Sequence, residues 1–200
     1  MTSLSQDTNP ALKNSDLELV LRVQAGELSA FGELIDRHQR AVYGIISRMV
    51  SSRDDADDLV QDVFVSAYSA IGSFRRDAKF STWLHAIAVN TTLKRLKKMK
   101  RQSAVSIDDP EIGLADTIRA EDDPPPDESL QNREQNEAVR RAIDSLPDKQ
   151  RIVVVMHYFE QHSCEEIAVI LKCSVGTVWS RLHYACKKLR GELTWLEEGL

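Results

Sequence analysis

Six cations fall within eight residues, Lys94, Arg95, Lys97, Lys98, Lys100 and Arg101, and Trp83, Ile87 and Asn90 precede them at helical spacing. On a helix, Trp83, Ile87, Asn90, Lys94 and Lys97 lie along one stripe. An aromatic ring, an amide and ammonium groups on one face suit single-stranded DNA. A base stacked on an aromatic side chain is worth about 1–3 kcal/mol, and cations track the phosphates. The plainer alternative places Trp83 in a core and lets the lysines complement the helix dipole.

A second constellation lies near the C-terminus. Ser163-Cys164-Glu165-Glu166 has the S-x-x-E capping pattern and opens a short helix with Ile167, Ala168, Ile170 and Leu171 inward. A turn at Lys172-Cys173 follows, and Ser174-Val175-Gly176-Thr177 caps a second, longer helix, which is helix-turn-helix spacing. The second helix of such a unit enters the major groove by its N-terminal turns, so Ser174, Thr177, Trp179, Ser180, Arg181, His183 and Tyr184 are the candidate base readers. Lys187, Lys188 and Arg190 would meet phosphates, and Val175, Val178 and Leu182 would face back onto Ile167 and Ile170. A helical hairpin with a solvated basic end carries the same capping signals.

The third constellation is acidic. Asp54, Asp55, Asp57 and Asp58 head an amphipathic helix that continues Leu59-Val60-Gln61-Asp62-Val63-Phe64. One or two acids in a first turn serve the dipole. Four exceed that need, and an outer face of acids and an amide suits docking to a basic partner.

Helices must position these groups, and the composition agrees: 42% hydrophobic and 6% aromatic residues with eight glycines and six prolines favour an all-α chain over a sheet. Ser15-Asp16-Leu17-Glu18 starts a first helix, Phe31 to Met49 carries a second, Ser51-Ser52 ends it before a third from Asp54, and a fourth begins near Ser81. These four predict one bundle over residues 16–101, behind a polar tail at 1–15. Residues 102–133 lose periodicity around Asp108-Asp109-Pro110 and Pro124-Pro125-Pro126 and read as an extended acidic linker. Patterning resumes at Glu137, breaks at Pro147, and continues to the helix-turn-helix, defining a second small domain over 134–193. The Val153-Val154-Val155 run suits a strand alone, but the helical period on both sides favours helix.

The net charge of −5 comes from one acidic stretch that includes the linker: residues 102–136 hold 2 Lys/Arg against 10 Asp/Glu, whereas residues 1–101 hold 15 against 12 and residues 137–200 hold 9 against 9. Acidity overall is therefore compatible with nucleic acid at both ends. Three unevenly spaced cysteines, Cys164, Cys173 and Cys186, exclude a disulfide framework, and the longest aliphatic run, Ile152 to Met156, is far too short to span a bilayer. A cytoplasmic chain without membrane insertion is expected. No phosphate loop or nucleophile motif is present, and His157, His162 and Cys164 lack metal-ligand spacing, so no enzyme activity, catalytic residue, metal, cofactor or small-molecule substrate is expected.

Asp55-Ala56-Asp57-Asp58-Leu59-Val60-Gln61-Asp62-Val63-Phe64 resembles the D-A-E-D-L-V-Q-E-x-F helix of sigma region 2 in the bacterial extracytoplasmic-function sigma factors, the sigma-E-like group of the sigma-70 family. Phe80-Ser81-Thr82-Trp83-Leu84-His85-Ala86-Ile87-Ala88-Val89-Asn90-Thr91 is similar to the segment that follows it, and Leu146-Pro147, Gln150-Arg151, Glu165-Glu166-Ile167-Ala168 and Val175-Gly176-Thr177-Val178-Trp179-Ser180-Arg181 resemble region 4. The resemblance implies a sigma factor that binds core RNA polymerase, at the β′ clamp helices and the β subunit, and directs promoter-specific initiation in a stress or envelope response. By the same resemblance Asp55, Asp57, Asp58, Gln61 and Asp62 dock on polymerase. Phe74, Trp83, Asn90, Lys94, Arg95 and Lys98 capture the minus-ten strand, and the helix from Ser174 reads the minus-thirty-five element. The linker would run near the RNA exit path, and an anti-sigma factor would restrain the chain. Asp57 and Asp62 stand where the family more often has Glu, and Trp179 and Tyr184 where many members have basic residues, so base preference does not carry over. A free-standing helix-turn-helix regulator binding operators without polymerase is the alternative that the residues alone leave open.

Overall fold

A computed structural model of the chain describes residues 15–75, 77–105 and 130–197, and all regular structure among them is helical. Helix α1 spans Asp16–Gln24, where Ser15 accepts a hydrogen bond from the Glu18 amide at 3.3 Å as its N-cap. Gly26, at φ 98°, turns the chain into α2, Leu28–Ser47. Helix α3 spans Arg53–Ala70, and Ser52 is its N-cap, accepting from the Asp55 amide at 3.3 Å. The serine pair expected only to end α2 therefore also starts α3. A 3₁₀ turn at Ile71–Ser73 leads towards α4, Phe80–Val105.

Leu19, Val20, Leu34, Val42, Ile46, Leu59, Val63, Leu84 and Ala88, all buried, come together from these four helices as the first core. With Val23 and Phe31 of the same cluster, the pairs Leu19 and Val23, Val20 and Val23, Phe31 and Leu34, Val42 and Ile46, Leu59 and Val63, and Leu84 and Ala88 stand three or four residues apart, as an inward stripe requires.

The second half opens with α5, Leu130–Asp144, which starts ahead of Glu137 because its first turns are polar and give no apolar period to read. Pro147 is the N-cap of α6, Asp148–Val154, and the helix runs on into a π-helical turn at Val155–Phe159. The three valines are thus helical. Helix α7, Cys164–Leu171, carries a complete capping box: the Glu166 amide donates to Ser163 Oγ and the Ser163 amide to the Glu166 carboxylate, each at 3.1 Å. It ends on Lys172 in the left-handed conformation, φ 49°, before α8, Val175–Glu197.

The two bundles do not stand apart. Ile45 and Met49 of α2 and Val89 of α4 are buried in one cluster with Ile152, Val153, Met156, Ile167, Ile170, Val178 and Leu182. At about 1.5–3 kcal/mol for each fully buried large aliphatic side chain, this seam is a substantial attraction between the halves. Arg151 rivets it, donating from Nη1 to the Met49 carbonyl at 3.3 Å and from Nη2 to the carbonyls of Asp144 and Leu146. Lys100 Nζ meets Asp148 at 2.6 Å, Lys79 meets Glu166 at 3.6 Å, and the Arg48 guanidinium lies 4.4 Å from the Phe159 ring centroid.

Candidate nucleic-acid and docking surfaces

Helix α3 separates its apolar and acidic residues by face. Ala56, Leu59, Val63 and Ala67 are buried, whereas Asp54, Asp57, Asp58, Gln61 and Asp62 are exposed. Asp55 differs from its neighbours: it is half-buried and pairs at 2.7 Å with Arg95 of α4. A residue expected on the docking face thus holds one expected on the strand-capturing face, and the Asp55 hydrogen bond raises the proton affinity of the Arg95 guanidinium.

Along α4 the expected stripe runs from the core edge into solvent. Trp83 and Ile87 are half-buried, while Asn90, Lys94, Lys97 and Lys98 are exposed. Trp83 is tied to two phenylalanines, its ring 5.3 Å from Phe74 and 5.5 Å from Phe80, with Phe74 and Phe80 5.9 Å apart. Phe74, expected from the resemblance to contact the minus-ten strand, is only 8% exposed. Its aromatic neighbours Phe80 and Trp83 hide it. The stripe contained Trp83 but neither Phe74 nor Phe80, and helical spacing could not show that the three aromatics would cover one another.

Helix α8 presents its candidates more openly. Val178, Leu182 and Ala185 are buried against α7, and Trp179 and Tyr184 stand out at 61% exposure each, beside exposed Ser180 and His183. The hydroxyls are partly committed. Ser174 Oγ accepts from the Thr177 amide at 3.2 Å and lies 2.8 Å from Thr177 Oγ1, so both belong to the cap, and Ser180 donates to the Gly176 carbonyl at 3.0 Å. Arg181 is half-buried, with Nη1 3.9 Å from Cys173 Sγ. Lys187 is exposed, whereas Lys188 donates to the Ser145 carbonyl at 2.7 Å and sits 3.8 Å from Glu192.

Comparison with known families matches residues 34–102 to sigma-70 region 2 and residues 136–189 to sigma-70 region 4. The chain belongs to the sigma-70 family. It is 38% identical over 180 residues to the ECF RNA polymerase sigma-E factor of Escherichia coli K12, covering 86% of this chain and 90% of that one. It is 36% identical over 176 residues to the RNA polymerase sigma-H factor of Pseudomonas aeruginosa, covering 86% and 91%. Among solved structures, CnrH in complex with the cytosolic domain of CnrY aligns at a TM-score of 0.65 and 26% identity over 90% of this chain and 98% of that one. Sigma factor RpoE of Bartonella quintana aligns at 0.67 and 23% over 84% and 98%, which supports the fold.

The chain is therefore an ECF-type RNA polymerase sigma factor, and α3 and α4 lie in its region 2 and the helix-turn-helix in its region 4. No group of three or more His, Cys, Asp or Glu side chains suited to a metal occurs among the described residues, and no described helix is long and apolar enough to cross a membrane. Sequence reasoning missed the residues that join the two regions, His85, His162 and Arg151. Their polarity inside apolar stripes was the available signal: His85 lies between Leu84 and Ile87, and Arg151 directly precedes Ile152.

Proposed function

We propose that this sigma factor docks on core RNA polymerase through the exposed face of α3, opens the minus-ten element along α4 and reads the minus-thirty-five element with α8. Residues 16–101 and 134–193 serve as the two working domains and 102–133 as their linker. The observation that carries the docking step is the solvent-facing row Asp57, Asp58, Gln61 and Asp62, which no packing need within the bundle explains. Acids and an amide on a firmly supported helix complement a basic helical partner, as expected of the β′ clamp helices, with the β subunit a further contact. The exposed face of α8 and the cationic end of α4 supply the promoter contacts. Acting as an initiation subunit, the chain has no catalytic role of its own, works in the cytoplasm and serves a stress or envelope response. Restraint by an anti-sigma factor belongs to the same proposal, supported by the likeness to CnrH, solved with the cytosolic domain of CnrY bound.

Exchanging Asp57 and Asp58 together for Lys tests the docking step. Asp57 and Asp58 are exposed in the second turn of α3, where substitutions usually change stability by about 0.5 kcal/mol or less, so the fold persists. Association with core polymerase, measured by native gel or fluorescence anisotropy, should fall at least tenfold and run-off transcription with it. Normal association of the double variant would refute the surface. A chain that binds promoter duplex tightly without core polymerase would instead restore the free-standing regulator.

A further inference from the structure

The seam between regions 2 and 4 is lined by aliphatic side chains, yet it encloses two facing imidazoles. His85 Nδ1 of α4 lies 2.7 Å from His162 Nε2, on the approach to α7, and the rings meet edge to face at 5.0 Å. The side chains are 5% and 8% exposed, although 77 residues separate them in the chain. The surrounding groups constrain their protons. From α7, Glu166 Oε2 lies 3.3 Å from His162 Nδ1, and Lys79, ahead of α4, flanks that carboxylate. In the π turn, His157 Nδ1 approaches the His162 carbonyl at 3.0 Å, and Glu160 lies against Gly44 and Arg48 of α2. His38 of α2, bonded to Asp16 of α1 at 2.9 Å, is near enough to act electrostatically on His85.

We propose that His85 and His162 form a proton-sensitive latch that holds regions 2 and 4 closed on each other and releases them on acidification. With Glu166 taking the His162 Nδ1 proton as acceptor, His162 Nε2 accepts from His85 Nδ1, and both rings are neutral. The enclosed His85 Nε2 meets no hydrogen-bond partner among the described residues. A proton added there creates a charged donor with nothing to receive it, inside an apolar seam. If both facing nitrogens carry protons, two N–H groups collide at 2.7 Å, so the doubly charged pair cannot stay closed. Burial, then the electrostatic influence of the His162 and His38 rings, push the His85 ring down to about 4, against weaker support from Glu166. A base whose affinity for protons is lower when closed favours closure fully above its ordinary value of 6.5. The opening constant then rises roughly tenfold per pH unit from there down to about 4. Burial raises the Glu160 carboxyl, which opposes this at lower pH, so the response is clearest between 7.5 and 5.

The inference rests on the reading of α4 and α8 as readers of separate promoter elements. Elements about 25 base pairs apart are separated by roughly 85 Å of duplex. In the closed chain α7 packs on both α4 and α8, which holds the two readers about 20 Å apart at the usual 8–10 Å per helix contact. The closed form therefore cannot engage both elements, and release must precede promoter binding.

Small-angle scattering of the free full-length chain from pH 7.5 to 5, with circular dichroism to follow helix content, tests the latch. The wild-type chain should be compact at 7.5 and expand below 6.5 without losing helix. His85→Gln, which keeps a donor for His162 but does not titrate, should remain compact to pH 5. His85→Phe, matched in volume, makes the same prediction should the amide variant misfold. A wild-type chain that stays compact to pH 5, one already expanded at 7.5, or variants that expand at the wild-type midpoint would each overturn the latch. Expansion as expected, with holoenzyme inactive on every two-element promoter, would strike the promoter reading and leave the latch standing.

Discussion

Helices α4 and α8 are both expected to contact DNA, but they offer it different surfaces. On α4 the aromatic candidates are folded into one another: Trp83 packs on Phe74 and Phe80, and Phe74 is nearly inaccessible. On α8 the aromatics point outward, with Trp179 and Tyr184 mostly exposed and the inward face filled by Val178, Leu182 and Ala185. A surface that reads intact duplex is best made in advance, since base edges in the major groove await it. A surface that captures an extruded base has no ligand until the duplex opens, and exposed rings would meanwhile be an apolar liability. On the proposed reading, the difference separates a preformed reader of duplex from a stacking platform covered by its own side chains.

Truncation of the two tryptophans should break this symmetry most visibly. Trp83→Ala removes a ring from a packed aromatic cluster and should cost about 3 kcal/mol of folding stability, whereas Trp179→Ala should leave stability within about 0.5 kcal/mol, as exposed substitutions do. Denaturant unfolding of both variants measures the gap. Equal losses would mean that Trp179 is also structural and that α8 is no more preformed than α4.

Asn90 sharpens the same contrast with a smaller effect. It is exposed one turn beyond the half-buried Trp83 and Ile87 stripe, so Asn90→Ala removes an amide without disturbing the cluster. Losing one hydrogen bond of about 1 kcal/mol should slow open-complex formation about fivefold, read as permanganate reactivity of unpaired thymines, while holoenzyme recruitment to closed promoter stays intact. Unchanged reactivity would take Asn90 out of the opening site, and a parallel loss of recruitment would assign it to duplex binding.

The helices and their inward faces were legible because period-3.6 patterning states which side of a helix is buried. Leu84 and Ala88, or Val178 and Leu182, could be placed inside from sequence alone. Periodicity does not state what a buried face meets. Met49 read as an apolar position of its helix, but not as part of a seam with region 4, and nothing in the spacing pairs His85 with His162. Capping signals were legible at Ser15, Ser163 and Ser174, where serine sits just ahead of an apolar run. The cap at Ser52 was hidden behind its apparent role as a terminator. The αL residue ending α7 is Lys172, not glycine, so its conformation carried no residue signature. In the candidate surfaces, residue types singled out α3, α4 and α8, whose outer faces are exposed. Mutual engagement of the side chains, Asp55 with Arg95 and Phe74 with Trp83, depended on tertiary packing that no single helix encodes.

The smallest expected effect separates two neighbouring lysines on α8. Lys187 is exposed and free to follow the phosphate backbone, while Lys188 is drawn to the Ser145 carbonyl at the end of α5 and to Glu192. A lysine that neutralises one phosphate releases about one counterion, so Lys187→Ala should weaken all promoter sequences alike and lower the salt slope of promoter binding by about one. Lys188→Ala should leave that slope nearly unchanged, because its ammonium is already partnered within region 4 and gains less by leaving it. Holoenzyme titrated with promoter duplex at several salt concentrations yields both slopes. Identical slopes for the two variants would show that Lys188 abandons Ser145 on binding, and that even the preformed reader rearranges its basic end. A loss confined to particular sequences for Lys187→Ala would move that residue from the phosphates to the bases and extend the reading surface of α8 beyond its first turns.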